Sequence, residues 1–340
     1  MKSKKFPVSG FAFLVIIVTI FRSSIIADAV KNSLELCFSV IIPSLFPFMV
    51  ISSQLVGNMK CNLPKPVNKL CNFLFGFSGY GIGAFSCGIL CGYPIGAKCS
   101  AQLYKEGMIS KSEAETLVAC ANNSGPLFII GAVGGLLKSP RWGVILYGVH
   151  IICALVSAII LKSRTYIKPH FLSSGKKEKP LTESISESVV NILNICGFIV
   201  FFSVVNVLAE PVAKLFPETM QNIIYCILEL TNGIEKLGNT NGLFGGKLYL
   251  TAFALGWSGI SVHMQVKSIV KELGLSMKKY YFSKSLSAIL SPLILFMALD
   301  LKDMLFSLVS VTTLKVIIVS FAALGLCTVM IVARKRKKVM

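Results

Sequence analysis

Long apolar stretches recur along this 340-residue chain, each close to the roughly 20 residues that a helix needs to cross the hydrocarbon core of a membrane. They cover 9–27, 34–56, 112–137, 142–161, 186–208, 280–299 and 311–333, and predict about seven crossing helices in an all-α fold. Two other apolar stretches read differently. Residues 75–97 are uncharged but dense in glycine (Gly76, Gly79, Gly81, Gly83, Gly88, Gly92 and Gly96), and 242–263 carry Gly245, Gly246, Gly256 and Gly259. Glycine at that density weakens a straight helix and lets the backbone turn or another helix approach. Both stretches therefore read as re-entrant hairpins, tolerable at membrane depth only where buried in protein or lining a cavity. A small-residue packing helix is the alternative for each. Short, partly polar elements that begin near proline, 64–74 and 217–230, precede them as interfacial helices would.

The same order then occurs twice. Gly92-Tyr93-Pro94-Ile95-Gly96-Ala97-Lys98 is followed by a polar and proline interruption, Asn122-Asn123-Ser124-Gly125-Pro126, inside 112–137. Gly256-Trp257-Ser258-Gly259-Ile260 is followed by Leu290-Ser291-Pro292-Leu293 inside 280–299, about 165 residues later. Each copy crosses three times, an odd number, so the second must be inverted relative to the first. The organisation expected is an N-terminal membrane helix (1–30), a first repeat (31–161), a basic linker (162–184), a second, inverted repeat (185–333) and a basic tail (334–340). Interrupted spans at matching places in two halves point to the binding site of a secondary transporter.

Composition agrees. The chain is 54% hydrophobic and 14% charged, with a mean hydropathy of +0.74, against roughly 25% charge in a soluble domain. The net charge of +19 gathers at the ends and in the linker, which suits anionic lipid headgroups rather than nucleic acid, since no soluble domain accompanies it. The basic C-terminal tail falls on the side opposite to the basic linker in this count, so the orientation stays open. The eleven cysteines form no CxxC pair and read as small buried hydrophobes, with no metal site or cofactor expected. HExxH, GxSxG and P-loop patterns are missing, and no enzyme is expected.

The candidate chemistry lies at the interruptions. Proline suits the first position of a helix and serine can cap just before it, so each interruption reads as the start of a half-helix with free backbone N–H groups and a positive dipole end. Such an arrangement binds anions. The substrate-binding candidates are Gly92, Tyr93, Pro94 and Gly96 in the first hairpin, Asn122, Asn123, Ser124 and Gly125 at the first break, Ser258, Ser261 and His263 after the second hairpin tip, and Ser291 at the second break. Lys98 reads either as a counter-charge to an anion or as a snorkelling lysine.

The Gly92–Lys98 run, with Asn123-Ser124-Gly125-Pro126-Leu127-Phe128-Ile129 after it, resembles the YlbJ (SpoVV) family of sporulation integral membrane proteins, over about 27–333. These are nucleoside-recognition (Gate) domain proteins, similar to concentrative nucleoside transporters. The resemblance implies re-entrant hairpins paired with broken helices in an inverted repeat. It also implies the outer forespore membrane of a spore-former, and dipicolinic acid moving from the mother cell towards the forespore. Where the nucleoside transporters carry acidic residues in their broken helices, this chain has Asn123 and Ser291. A non-transporting protein of spore cortex or envelope assembly and a nucleoside-like solute transporter are the alternative functions, and an oligomer is left open.

Overall fold

Proline and glycine set most of the helix ends. In a computed structural model of the protein, which describes residues 16–17, 19–57, 64–163, 179–240 and 244–300, all regular structure among the described residues is helical. The expected span 311–333 and the tail 334–340 lie outside these residues, as do the start of span 9–27 and most of the linker. The chain divides into two units, Met1–Leu293 and Ile294–Met340.

The first helix, α1 (Ser23–Leu36), passes through a π-helical turn, Cys37–Ile41, directly into α2 (Ile42–Gly57). The polar residues between the expected spans 9–27 and 34–56 do not interrupt it, a correction to the expected boundary near residue 30. None of the residues from Asp28 to Ser33 is Gly or Pro, and Asp28, Asn32 and Ser33 face a polar cleft instead of lipid. A short helix α3 (Lys65–Phe75) begins after Pro64 and ends on the left-handed Gly76. Ser78 then caps α4 (Gly79–Cys91), accepting from the Gly81 amide. The turn Gly92–Pro94 leads into α5 (Ile95–Lys105), which packs back against α4. The hairpin thus runs over 79–105, not 75–97: Gly92 (φ 84) is its turn, and Gly79, Gly81, Gly83 and Gly88 lie inside its first arm.

Ser110 caps α6 (Lys111–Cys120) by accepting from the Glu113 amide at 3.0 Å. The helix stops there, the chain is non-helical over 121–125, and α7 (Leu127–Leu136) starts after Pro126. The first broken helix is present. α8 (Pro140–Ile160) and the long α9 (Leu181–Ala213) follow. A stripe of Ile192, Ile195, Cys196, Ile199, Phe202 and Asn206 on α9 is buried, and α9 packs along α1 and α2. After Pro217 come α10 (Glu218–Leu228) and α11 (Leu230–Asn239), joined by Glu229 alone. The two fold together closely, since a Cβ added to Gly233 would lie 2.6 Å from the Cys226 Cα. α12 (Phe244–Trp257) and α13 (Gly259–Lys271) meet at Ser258, whose backbone is left-handed (φ 74).

The last helix, α14 (Lys278–Asp300), corrects a second expectation: it runs unbroken through Pro292. An interior proline removes one backbone bond, here the one to the Ala288 carbonyl, and the helix continues without it; Ser291 Oγ bonds the neighbouring Ser287 carbonyl at 2.7 Å.

Four helices among the described residues are long and apolar enough to cross a membrane: Ser23–Gln54, Pro140–Ile160, Leu181–Ala213 and Lys278–Leu299. They fall on four of the seven expected spans. Pro66–Phe75 and Gly79–Cys91, bent by 74°, make a fifth if counted as one. Eight cysteines among the described residues are free and buried, as small hydrophobes are.

Candidate functional site

Two backbone turns each press on a helix break, and together they organise the centre of the molecule. In the first half the turn at Gly92 meets the 121–125 break. A Cβ added to Gly92 would lie 2.8 Å from the Gly125 nitrogen, and one added to Gly96 only 2.0 Å from the Ala121 carbonyl oxygen. Only glycine admits that approach. In the second half the turn at Gly259 (φ 81) meets the α10–α11 junction, where an added Cβ would lie 2.9 Å from the Leu230 nitrogen and 3.3 Å from the Glu229 Cα.

The two constructions keep one spacing. From Gly92 to Gly259 is 167 residues (259 minus 92), and the left-handed pair Gly107 and Gly274 has the same separation, 274 minus 107. So have the starts of α6 and α14, Lys111 and Lys278. The neighbours match closely as well: Gly88 lies on Ala121, and Gly256 lies on Ser287 and Ala288, where an added Cβ would be 2.4 Å from the Ser287 carbonyl oxygen.

The first break is buried and polar. Asn122, Asn123 and Ser124 are 0%, 5% and 1% exposed. Asn123 Nδ2 donates to the Cys120 carbonyl at 2.5 Å, satisfying the end of α6, and the Ser124 amide donates to His150 Nε2 at 3.1 Å. The Asn122 carbonyl accepts from Lys284 Nζ at 2.6 Å. Lys284 comes from α14 and is almost fully buried, with no acidic partner among the described residues. Around it the Asn122 side chain, Ser124 Oγ and His150 Nδ1 make no well-formed hydrogen bond, with Tyr280 beside Asn122 and Tyr93 beside Ser124. Native interiors leave few polar groups unpaired, so this concentration at one break marks a place built for another group. Ser124 does not cap α7 as expected; its hydroxyl lies beside that of Tyr93 at the cavity they both line.

On the second side, His263 Nδ1 lies 2.9 Å from Tyr280 Oη and its ring meets Trp257, Tyr280 and Tyr281 edge-on, while Nε2 has no partner. Ser261 Oγ lies 3.4 Å from Gln265 Nε2, and Ser258 Oγ bonds the Leu255 carbonyl. Ser291, inside α14, also lies 3.3 Å from Cys153 Sγ on α8, one turn beyond His150; it caps no half-helix.

Both sides share one small cavity. Tyr93, Ser124, Gly125 and Phe128 line it from the first half, and Glu229, Thr231, Val262 and Gln265 from the second, with Ile41, Leu45, Ile195 and Ile199 closing it. Its space for a water centre is about 10 Å³, or about one water. Lys98 takes no part, because Nζ donates to Asn191 Oδ1 on α9.

Of the expected site residues, Gly92, Tyr93, Gly96, Asn122, Asn123, Ser124 and Gly125 come together, with Pro94 completing the turn. Ser258, Ser261 and His263 lie on the opposing elements and Ser291 behind them. Lys284, Glu229 and His150 were missed. A lone charge inside an apolar segment is itself a functional signal, and both Lys284 in 280–299 and Glu229 at the end of an apolar run carried it.

No family model and no solved structure matches the chain. It is 27% identical over 304 residues to the sporulation integral membrane protein YlbJ of Bacillus subtilis (strain 168), covering 77% of this chain and 74% of that protein. With its long apolar helices, this likeness makes the chain an all-α integral membrane protein and a relative of YlbJ.

Proposed function

We propose that the protein carries a small organic anion through the membrane by alternating access and serves sporulation in doing so. The observation that supports this most is Lys284, a buried ammonium held on the first break beside unpaired Asn122 and Ser124 groups and the start of α7. A buried cation without an acidic partner is costly, and an arriving carboxylate would relieve that cost. The Asn122 amide and the Ser124 hydroxyl would donate to the same group, as would the first amides of α7 ahead of Ile129, whose own amide bonds the Gly125 carbonyl.

The chemistry fits a flat dicarboxylate, and the likeness to YlbJ proteins suggests dipicolinic acid, moving from the mother cell across the outer forespore membrane. The central cavity holds about one water, so substrate entry requires the Gly92 and Gly259 turns to draw back from their breaks. In this reading the turns and breaks are re-entrant gates of an inverted repeat, and the conformation described is closed.

Uptake of labelled dipicolinate into proteoliposomes tests the proposal. Saturable uptake by the wild type, lost in Lys284→Met, is expected. A folded wild type that takes up no more than empty liposomes would overturn it in favour of a non-transporting protein of spore envelope assembly.

A further inference from the structure

Glu229 is 1% exposed and forms the single-residue joint between α10 and α11. One carboxylate oxygen accepts from the Asn232 amide at 2.7 Å, with Thr231 beside it. No cation pairs with it among the described residues. The titratable groups facing it are Cys37 from the π-helical turn, Tyr93 from the first hairpin turn, Cys226 from α10 and Glu235 from α11. None of these supplies a positive charge. From α13 it faces the cavity shared with Gln265, whose Oε1 is buried and lacks a donor.

Behind Glu229 a second cavity begins. A cleft of about 350 Å³ lies between α1, α9 and α11, lined by Asp28, Asn32, Asn206, Glu210, Glu235 and Lys236 among others. Arg22 and Lys214 pair with Glu210 at 2.8 and 2.9 Å. Asn232 joins the two spaces: it lines the cleft, its backbone amide holds Glu229, and its Oδ1 lies 3.5 Å from Ser33 Oγ. Asn206 also lines the cleft, 3% exposed, with neither end of its amide bonded. A roomy polar space lined by unpaired amides suits water.

We propose that Glu229 is a proton-binding site, filled through this cleft, that couples proton movement to anion transport; this rests on the transport reading. The carboxylate and the anion-facing residues Ser124 and Gly125 line one cavity of about one water. An anion there meets like-charge repulsion from an ionised Glu229 and none from the neutral acid. A proton passing from cleft water to the carboxylate leaves a neutral O–H, a donor for the acceptor Gln265 Oε1. Proton and anion therefore raise each other's affinity, and by linkage the effect is reciprocal. The pair crosses together.

The test uses full-length protein in proteoliposomes, labelled dipicolinate, and imposed gradients of protons or of sodium. With one proton per anion, a pH difference of one unit, acid on the entry side, should raise the accumulation ratio about tenfold at zero membrane potential. Glu229→Gln should lose that response and the fall of anion affinity as pH rises. Glu229→Asp should keep both with a displaced pH profile, which separates loss of the proton site from misfolding. Carbodiimide should modify Glu229 in the wild type, less as pH rises, read by peptide mass spectrometry without any substrate. Uptake that ignores the pH gradient, or follows sodium instead, overturns the inference and leaves transport standing. Absence of any dipicolinate exchange in the wild type removes the transport reading, and this inference with it.

Discussion

The turn at Gly92 and the turn at Gly259 are built alike and equipped differently. Each has a left-handed glycine pressed on a helix interruption, at the same 167-residue separation as Gly107 and Gly274. Around the first stand neutral amides and a hydroxyl, with the ammonium of Lys284 bonded to the Asn122 carbonyl. At the second stands a carboxylate, Glu229, held by the Asn232 amide. The backbone repeats where close approach dictates it, because only glycine leaves room there. The side chains around each turn are free to diverge: a buried ammonium bonds the first break from outside the shared cavity, and a carboxylate lines that cavity at the second. A duplicated scaffold can in this way offer one face to an anion and another to a cation or proton.

The largest effect should come from filling either contact. Gly96→Leu places a side chain where even a Cβ would lie 2.0 Å from the Ala121 carbonyl oxygen. It should cost about 3 kcal/mol or more, read as a lower melting temperature in detergent, and abolish uptake. Gly256→Leu, against Ser287, should behave the same way; a variant that melts and transports normally would break the likeness of the two halves.

Next comes the charge at the first contact. Lys284→Met removes a charged hydrogen bond partner from the anion and should weaken dipicolinate binding by about 1.5–3 kcal/mol, roughly ten- to a hundredfold. Its thermal stability should hold or rise, since an apolar chain replaces a buried charge. A variant that loses stability and keeps affinity would make Lys284 a structural group. Asn123→Asp puts a carboxylate at the break and should weaken binding about tenfold; unchanged or tighter binding would favour a cation or neutral solute there.

The smallest effects separate two serines at the same 167-residue separation, Ser124 and Ser291. Ser124 Oγ is unpaired and buried, whereas Ser291 Oγ bonds the Ser287 carbonyl of its own helix. Ser124→Ala should cost about 1 kcal/mol of affinity, several-fold in the dissociation constant. Ser291→Ala should change it less than about twofold. Equal losses would restore Ser291 to the site.

Much of this was visible in the sequence, for reasons that divide cleanly. Gly92, Gly259 and Pro126 act through the backbone, so their consequences travel with the residue type: two turns and a helix start. Long apolar runs likewise fixed α8, α9 and α14 closely. Pro292 misled because a proline break is conditional: a long apolar helix can lose one backbone bond and continue, as α14 does. The polar residues around Asp28 misled because a hydropathy pattern cannot tell a loop from a helix face turned to a polar cleft. The fold-back of α10 on α11 was missed since its joint is one residue and its marker, Gly233, stands alone. Lys284 and Glu229 were hidden by averaging, each a single charge in an apolar stretch.

The account rests on the anion meeting Lys284, and the most direct measurement compares two buried or half-buried lysines. Labelled dipicolinate is titrated by equilibrium dialysis against purified wild type, Lys284→Met and Lys98→Met, the last altering a lysine bonded to Asn191 on α9. The expected result is saturable binding by the wild type and Lys98→Met alike, and at least tenfold weaker binding by Lys284→Met. Equal binding by all three, or loss confined to Lys98→Met, would contradict it.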